Sequence, residues 1–283
     1  RFQVWFFGSP RLILDGHAVT LARRKDWALL AYLLMTRKPH SRESLATLFW
    51  PDFGQEHALA NLRRTLSRLH HQLGDRLSVD RSIVAVDVQA ECWIDAEQFI
   101  QSLDAVQRHP HDSDTACAFC LKQLVIAHTL YTDDFLAGFT LRDSPAFDDW
   151  HFFQQEALRD ALHDVLARLI NQHIAHDDLH AAIACTRDLL NLDPLHEASH
   201  RRLMWLYLRT GQRSAALRQF RTCTRILQTE LQTPPEQATV TLYQEIVAHA
   251  APRVGAGDNP PIGDTTHRLT PDQTAAWPFV GRT

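Results

Sequence analysis

The chain has 283 residues, 45% hydrophobic and 22% charged, with a formal net charge of −4 at neutral pH. That length allows two domains, or three small ones, with real apolar cores, and the acidic balance excludes a uniformly basic nucleic-acid coat. Five cysteines, an odd number scattered along the chain, exclude a disulfide framework, and no apolar run approaches the roughly 18 residues of a membrane span.

The charge is unevenly placed. Residues 20–81 hold eleven Lys/Arg against six Asp/Glu, a surplus of five positive charges that leaves nine negative ones for the remainder. One basic module on an acidic body is the pattern expected when a single domain touches phosphate. Residue 1 is an arginine, so the start is expected to be trimmed, and the default is a soluble cytoplasmic protein.

In chain order, residues 2–21 are rich in aromatic and branched side chains and are broken by Gly8-Ser9-Pro10 and Asp15-Gly16, which predicts a short antiparallel meander of about three strands. Arg24 to Arg37 switches to helical period and stops at Pro39. Ser41 is placed to cap a second helix, Arg42–Trp50, that ends at Pro51. A short connection leads to Glu56–Leu73, which Gly74 closes. On a helix, Leu59, Leu62, Leu66, Leu69 and Leu73 form one stripe, while Ala60, Asn61, Arg64, Ser67, Arg68 and His71 form an opposite face without an acid. Leu77–Asp80 and Ile83–Val86 flank an Arg81-Ser82 tip and read as a β-hairpin. Strands, three helices and a hairpin make an α+β winged helix with an N-terminal sheet, the layout of OmpR-type DNA-binding domains.

RKxxALLAYL at 24–33, HSRESLATLFWP at 40–51, ANLRRTLSRLHHQLG at 60–74 and CWIDAEQF at 92–99 resemble the DNA-binding domain of SARP/AfsR-type transcriptional regulators across residues 1–100. Trp27 departs from that pattern, which has a small residue there. Beyond residue 104 the periodicity is helical: a polar break at His109–Asp114, a helix around Ala116–Leu130, a turn-rich Tyr131–Ser144 and a long helix from Pro145 to Ile174. LHAAIACTRDLLNL (179–192) and RSAALRQFRTCTRIL (213–227) align at an offset of 34 residues with Ala181/Ala215, Ala182/Ala216 and Ile183/Leu217 matched. That period, with Tyr207 and Gly211 at the turn, predicts an all-α tetratricopeptide-like domain.

FLAGFTLRDSPAFDDW (135–150), LDPLHEASHRRLM (192–204), TGQRSAALRQF (210–220) and Leu242-Tyr243-Gln-Glu-Ile246 resemble the bacterial transcriptional activator domain of the same regulators. Gln232-Thr233 stands where that pattern has a helix-ending glycine. Residues 250–278, rich in Gly and Pro, read as a linker. Phe279-Val-Gly-Arg282 resembles the start of a truncated NTPase-like module. The expected domains are therefore a winged helix at 1–103, an activator domain at 104–249, the linker, and that start at 279–283.

Two patterns offer other chemistry. His196-Glu197-Ala198-Ser199-His200 has the HExxH spacing of a zinc metallopeptidase. It falls in the first turn after Pro194, no third ligand is identifiable, and Arg201-Arg202 follow where a buried zinc helix needs apolar flanks. A helix start accounts for it better, with Glu197 near the positive end of the dipole. Cys117-x-x-Cys120, with His109, His111 and His128 nearby, lacks the second pair of a convincing zinc knuckle, and buried helical cysteines are commoner. No phosphate-binding loop or nucleophile elbow is present in the sequence. The expectation is a non-enzyme without metal or cofactor, any NTPase activity belonging to a further C-terminal region.

The expected DNA contacts divide by role. Arg64 and Arg68 would reach guanine edges and Asn61 adenine or phosphate. Arg23, Arg24, Lys25, Ser41, Arg42, Arg63, Ser67 and His71 would hold the backbone, directly or through water. Arg81 would enter a minor groove from the wing tip. The resemblance further implies binding to promoter direct repeats with protomers side by side, self-association through the helical domain and recruitment of RNA polymerase. The loop Trp50, Pro51, Asp52, Phe53, Gly54 and Gln55 is the expected polymerase-facing segment. On DNA the protein would be nucleoid-associated, with no membrane partner. The alternative class is a repeat-type protein-interaction scaffold without specific DNA binding.

Overall fold

A computed structural model describes residues 1–86, 92–110 and 117–248. The 250–278 linker and the 279–283 segment lie outside the described residues, as does His111. The elements run β1 (Phe2–Trp5), β2 (Arg11–Leu14), β3 (His17–Val19), α1 (Arg24–Thr36), β4 (His40–Ser41), α2 (Arg42–Phe49), α3 (Gln55–Leu73), β5 (Leu77–Val79), β6 (Ile83–Val86), β7 (Cys92–Ile94) and α4 (Asp95–Arg108). They continue with α5 (Ala118–Leu130), α6 (Pro145–Ala175), α7 (Leu179–Leu192), α8 (Glu197–Arg209), α9 (Arg213–Glu230) and α10 (Gln237–Val247). A winged helix followed by a mostly helical domain is the architecture expected from the sequence.

The chain folds as two compact units. Among the described residues, the first joins Arg1–Ser102 with Thr129–Asp160, and the second joins Leu103–His128 with 161–248. The segment 129–160 thus belongs spatially with the winged helix. In the first unit β1, β2 and β3 form the expected meander, with Phe2 opposite Leu14 and Leu12 opposite Val19. The sequence pattern did not announce β7, which adds to β1 in parallel and gives the order β3-β2-β1-β7. Asp95, next to β7, holds this edge. Its buried carboxylate accepts backbone N–H groups from Phe6 (2.8 and 3.0 Å), Phe7 (2.9 Å) and Ala96 (2.7 Å). The charge is thereby solvated by peptide groups rather than water.

The helix α1 is central. Ala28 through Leu34 are all buried, and the helix ends at Arg37 in a left-handed conformation (φ 50°) ahead of Pro39. Ser41 caps α2 as expected, its Oγ accepting from the Ser44 N–H at 3.0 Å. His40-Ser41 also pairs with β6, so the hairpin of β5 and β6 becomes a three-stranded sheet in the order β4-β6-β5. The segment 129–160 is tied to this unit by Leu136 N–H to the Phe6 carbonyl (2.7 Å), Gly8 N–H to the Asp134 carbonyl (2.9 Å), and Ser144 Oγ to the Leu48 carbonyl (2.7 Å). Trp150 lies edge-on to Tyr32 at 5.0 Å, and Phe147 packs on Phe49 at 5.5 Å.

In the second unit the 34-residue repeat has its physical cause. Ala182 and Ala216, matched in the sequence, are both fully buried in one cluster with Ile183, Leu203, Met204, Leu206, Tyr207 and Ile246. Small residues there let neighbouring helices approach. Tyr207 Oη accepts from the Arg187 guanidinium at 2.8 and 3.0 Å, and Arg213 donates to the Ile246 and Val247 carbonyls at the end of α10, both at 2.9 Å. Gln232 takes the left-handed conformation (φ 55°) that follows α9, so the turn forms without the glycine the pattern called for.

Candidate nucleic-acid interface

The helix α3 separates its faces as the periodicity requires. Ala58, Leu62, Thr65, Leu66, Leu69 and Leu73 are buried, while Leu59 is only half-buried. Arg63, Arg64, Ser67, His70 and His71 are exposed, and Asn61 is half-buried. Glu56, in the first turn, is the helix's one acid. Arg64 Nη1 donates to Asn61 Oδ1 at 3.2 Å, which places an amide and a guanidinium side by side on the outward face.

Arg68 stands differently. Its Nε and Nη2 make a two-point contact with the Asp26 carboxylate at 2.9 and 2.5 Å, and Nη2 also reaches Thr65 Oγ1 at 2.9 Å. Asp26 is 2% exposed, so the pair clamps α1 to α3. Asp26 in turn raises the guanidinium pKa above its ordinary value. Nη1 of Arg68 makes no hydrogen bond with the described residues, and the side chain keeps 35% of its surface exposed.

The three basic residues before and in the first turn of α1 also divide. Arg23 is exposed at the N-cap. Arg24 donates to the Gly138 carbonyl at 3.0 Å and lies over the Phe139 ring. Lys25 donates to the Phe49 carbonyl at 2.5 Å, pairs with Asp143 at 2.8 Å and sits over the Trp50 ring. Arg24 and Lys25 thus hold the turn around 138–143 against the winged helix. A cleft of about 520 Å³ results, into which Arg23, Arg24, Lys25, Asn61, Arg64 and Arg68 converge with Thr140, Arg142 and Asp143. The excess of guanidinium and ammonium groups over the lone carboxylate suits an anion.

Thr140 and Arg142, both exposed, are the cleft residues that sequence reasoning missed. They lie more than 65 residues beyond the end of α3 in the chain, in a segment whose resemblance is to the activator domain, and no local pattern places them here.

At the wing, the Arg42 N–H donates to the Ser82 carbonyl at 2.9 Å and Arg42 Nη1 to the Asp80 carbonyl at 3.1 Å, fixing the hairpin tip to the start of α2. Arg81 is exposed at that tip. In the loop before α3, Trp50 is buried and belongs to the core, Gln55 opens the helix, and Pro51 to Gly54 are exposed, with Phe53 51% exposed.

The HExxH residues are occupied as a helix start. His196 is the N-cap of α8, and its Nδ1 lies 2.7 Å from Ser199 Oγ. His200 Nε2 donates to the Pro194 carbonyl at 2.9 Å, and its Nδ1 accepts from the Gln219 amide at 2.6 Å, so both ring nitrogens are used. Burial lowers both histidine pKa values. Glu197 accepts the Glu236 N–H at 2.7 Å. The following arginines do not make this an exposed stretch: Arg202 is 1% exposed and donates to Asn171 Oδ1 at 3.0 Å, and burial pushes its pKa down to about 10.

Residues 94–247 match the family described as the bacterial transcriptional activator domain. The chain belongs to that family. The activator domain so defined begins at the end of β7 and includes the 138–143 turn that completes the cleft. The fold also matches the solved structure titled Mycobacterium tuberculosis EmbR in complex with low affinity phosphopeptide, with a TM-score of 0.67 and 21% identity over 88% of this chain. The chain spans 65% of the length of that protein. A comparison with curated proteins gives no match. The chain thus carries a bacterial transcriptional activator domain, and its fold joins that domain to a winged helix. Among the described residues no helix is long and apolar enough to cross a membrane.

Proposed function

We propose that the chain is a cytoplasmic, sequence-specific DNA-binding activator that occupies promoter direct repeats and recruits RNA polymerase. The observation that carries this reading is the exposed face of α3, where Asn61, Arg63, Arg64, Ser67 and His71 stand clear of any acid beyond the first turn. A face of that kind on the third helix of a winged helix fits the major groove.

Asn61 and Arg64 read bases, with Arg68 contributing the one nitrogen that its contacts with Asp26 and Thr65 leave over. Arg23, Arg63, Ser41, Arg42, Ser67 and His71 contact the backbone, and Arg24 and Lys25 act on phosphate through the cleft they help to form. Arg81 enters the minor groove. Pro51–Gly54, led by Phe53, faces the polymerase. Residues 1–103 carry DNA binding and 104–249 carry activation and protomer pairing. Phe152 and Phe153, 56% and 52% exposed on adjacent positions of α6, supply apolar surface for that pairing.

Selection of bound duplexes from a random pool, followed by a salt series on the best site, tests this reading. Repeated half-sites and an affinity falling with a log–log slope of about −0.9 per phosphate contact are expected. Failure to enrich any sequence, together with salt-insensitive binding, would overturn it in favour of the interaction scaffold.

A further inference from the structure

The second unit brings together three side chains that the DNA-binding reading does not use. His109 follows the last turn of α4, its N–H donating to the Val106 carbonyl at 3.3 Å. Cys117 immediately precedes α5, and its carbonyl accepts the Leu121 N–H at 2.9 Å. Cys120 lies in the first turn of α5 and is 1% exposed. The spacing of three residues puts both sulfurs on one side of that turn.

The donor atoms of His109, Cys117 and Cys120 all lie within 4.8 Å of one another. Cys117 Sγ is 3.9 Å from His109 Nδ1. Tetrahedral zinc, with bonds of about 2.3 Å to sulfur and about 2.0 Å to nitrogen, separates such donors by about 3.6 Å, so the His109–Cys117 pair is already close to that spacing and the widest pair needs to close by no more than about 1 Å.

The surroundings hold the donors in place. The His109 ring stacks on Phe119 at a centroid distance of 4.7 Å and an angle of 23°. Cys117 is fixed from the other side, its N–H donating to Gln172 Oε1 on α6 at 2.9 Å. A pair of cysteines alone is a weak signal, and the sequence accordingly predicts no metal. Of the histidines near that pair in the sequence, the fold brings His109 to it.

We propose that His109, Cys117 and Cys120 bind one thiophilic divalent cation, Zn²⁺, which fastens the end of α4 to the start of α5. Uptake displaces two thiol protons to solvent and leaves zinc with two thiolates, one neutral imidazole and a fourth position for water or an outside ligand.

The test uses the whole chain, reduced and stripped with a chelator, then titrated with Zn²⁺ against a chromophoric competitor and separately with Co²⁺. One equivalent of Zn²⁺ and the thiolate-to-cobalt charge-transfer absorption are expected, with a higher melting temperature for the loaded protein. The Cys117→Ser/Cys120→Ser double variant and His109→Asn should each bind at least about tenfold more weakly. Cys185→Ser/Cys223→Ser should bind like the parent, since those buried cysteines stand elsewhere. Helical circular dichroism confirms that each variant is folded, and His109→Asn keeps the test valid should the double variant unfold. No stoichiometric uptake by the reduced parent, or unchanged uptake by a folded His109→Asn together with the double variant, would overturn the proposal.

Discussion

Arg68 on α3 grips the buried carboxylate of Asp26 on α1 with two nitrogens, at 2.9 and 2.5 Å. The pair makes Arg68 a structural residue before it is anything else, while Arg64, one turn away, is exposed and among the described residues bonded only to Asn61. Arg68→Ala leaves Asp26 buried without its counter-charge and should cost about 2 kcal/mol, less than a fully buried pair because Arg68 keeps 35% of its side chain exposed. Arg64→Ala should leave stability within about 0.5 kcal/mol of the parent and weaken binding to the preferred site by about 1–3 kcal/mol. Denaturant melts and binding isotherms on both variants separate the two roles. Equal stability for the two variants would remove the clamp assignment.

Asp95 is the second place where one polar side chain holds long-range structure. Its carboxylate accepts N–H groups from Phe6, Phe7 and Ala96 inside the core. Asp95→Ala should cost about 3 kcal/mol or more, because each orphaned buried N–H carries a penalty of about 1–3 kcal/mol. Asp95→Asn keeps part of the acceptor set and should fall between alanine and the parent. A urea titration of the three proteins checks that ranking.

Local periodicity makes the helices and the hairpin legible in the sequence: the leucine stripe of α3, the Ser41 cap of α2 and the matched alanines of α7 and α9 are short-range signals. The parallel pairing of β7 with β1 and the attachment of 129–160 to the winged helix are not legible there, since both depend on contacts between distant parts of the chain. The interface divides in the same way. The sequence marks Arg24, Lys25 and Arg68 as cations on a basic module, but it does not reveal that their partners are Gly138, Asp143 and Asp26. The His109, Cys117 and Cys120 group repeats the lesson: the sequence offers two cysteines and several nearby histidines, and the fold brings His109 to the pair.

Gln232 follows α9 at φ 55°, a left-handed conformation that costs a residue with a Cβ about 1 kcal/mol relative to glycine. Gln232→Gly should therefore raise stability by several tenths of a kcal/mol, the gain being reduced by the greater freedom of glycine in the unfolded chain. Thermal melts of the two proteins decide it. A lower melting temperature for the glycine variant would mean that the glutamine side chain makes a compensating contact.

His40 gives the first unit a defined response to acid. The ring is 7% exposed, and its Nε2 lies 2.7 Å from Thr36 Oγ1, whose own hydrogen goes to the Tyr32 carbonyl at 2.6 Å. The threonine oxygen is thus an acceptor here, and His40 is held as the neutral Nε2–H tautomer. Burial, assisted by the nearby positive charge of Lys38, pushes its pKa down to about 4 from an ordinary value of 6.5. Between those values the unfolded chain binds a proton that the folded chain does not. The stability contributed by neutral His40 is therefore complete above pH 6.5, falls as the pH drops toward 4, and levels off below it. The loss across that window is on the order of 2–3 kcal/mol. Other histidines with lowered pKa values, His173, His196 and His200, lie in the second unit and add their own acid sensitivity. The measurement must therefore be a difference between the parent and His40→Gln, both melted from pH 7.5 to 4. The variant should lose less stability than the parent over that range. Because His40 pairs with Val84 at the base of the hairpin, the wing amides should lose hydrogen-exchange protection first in the parent.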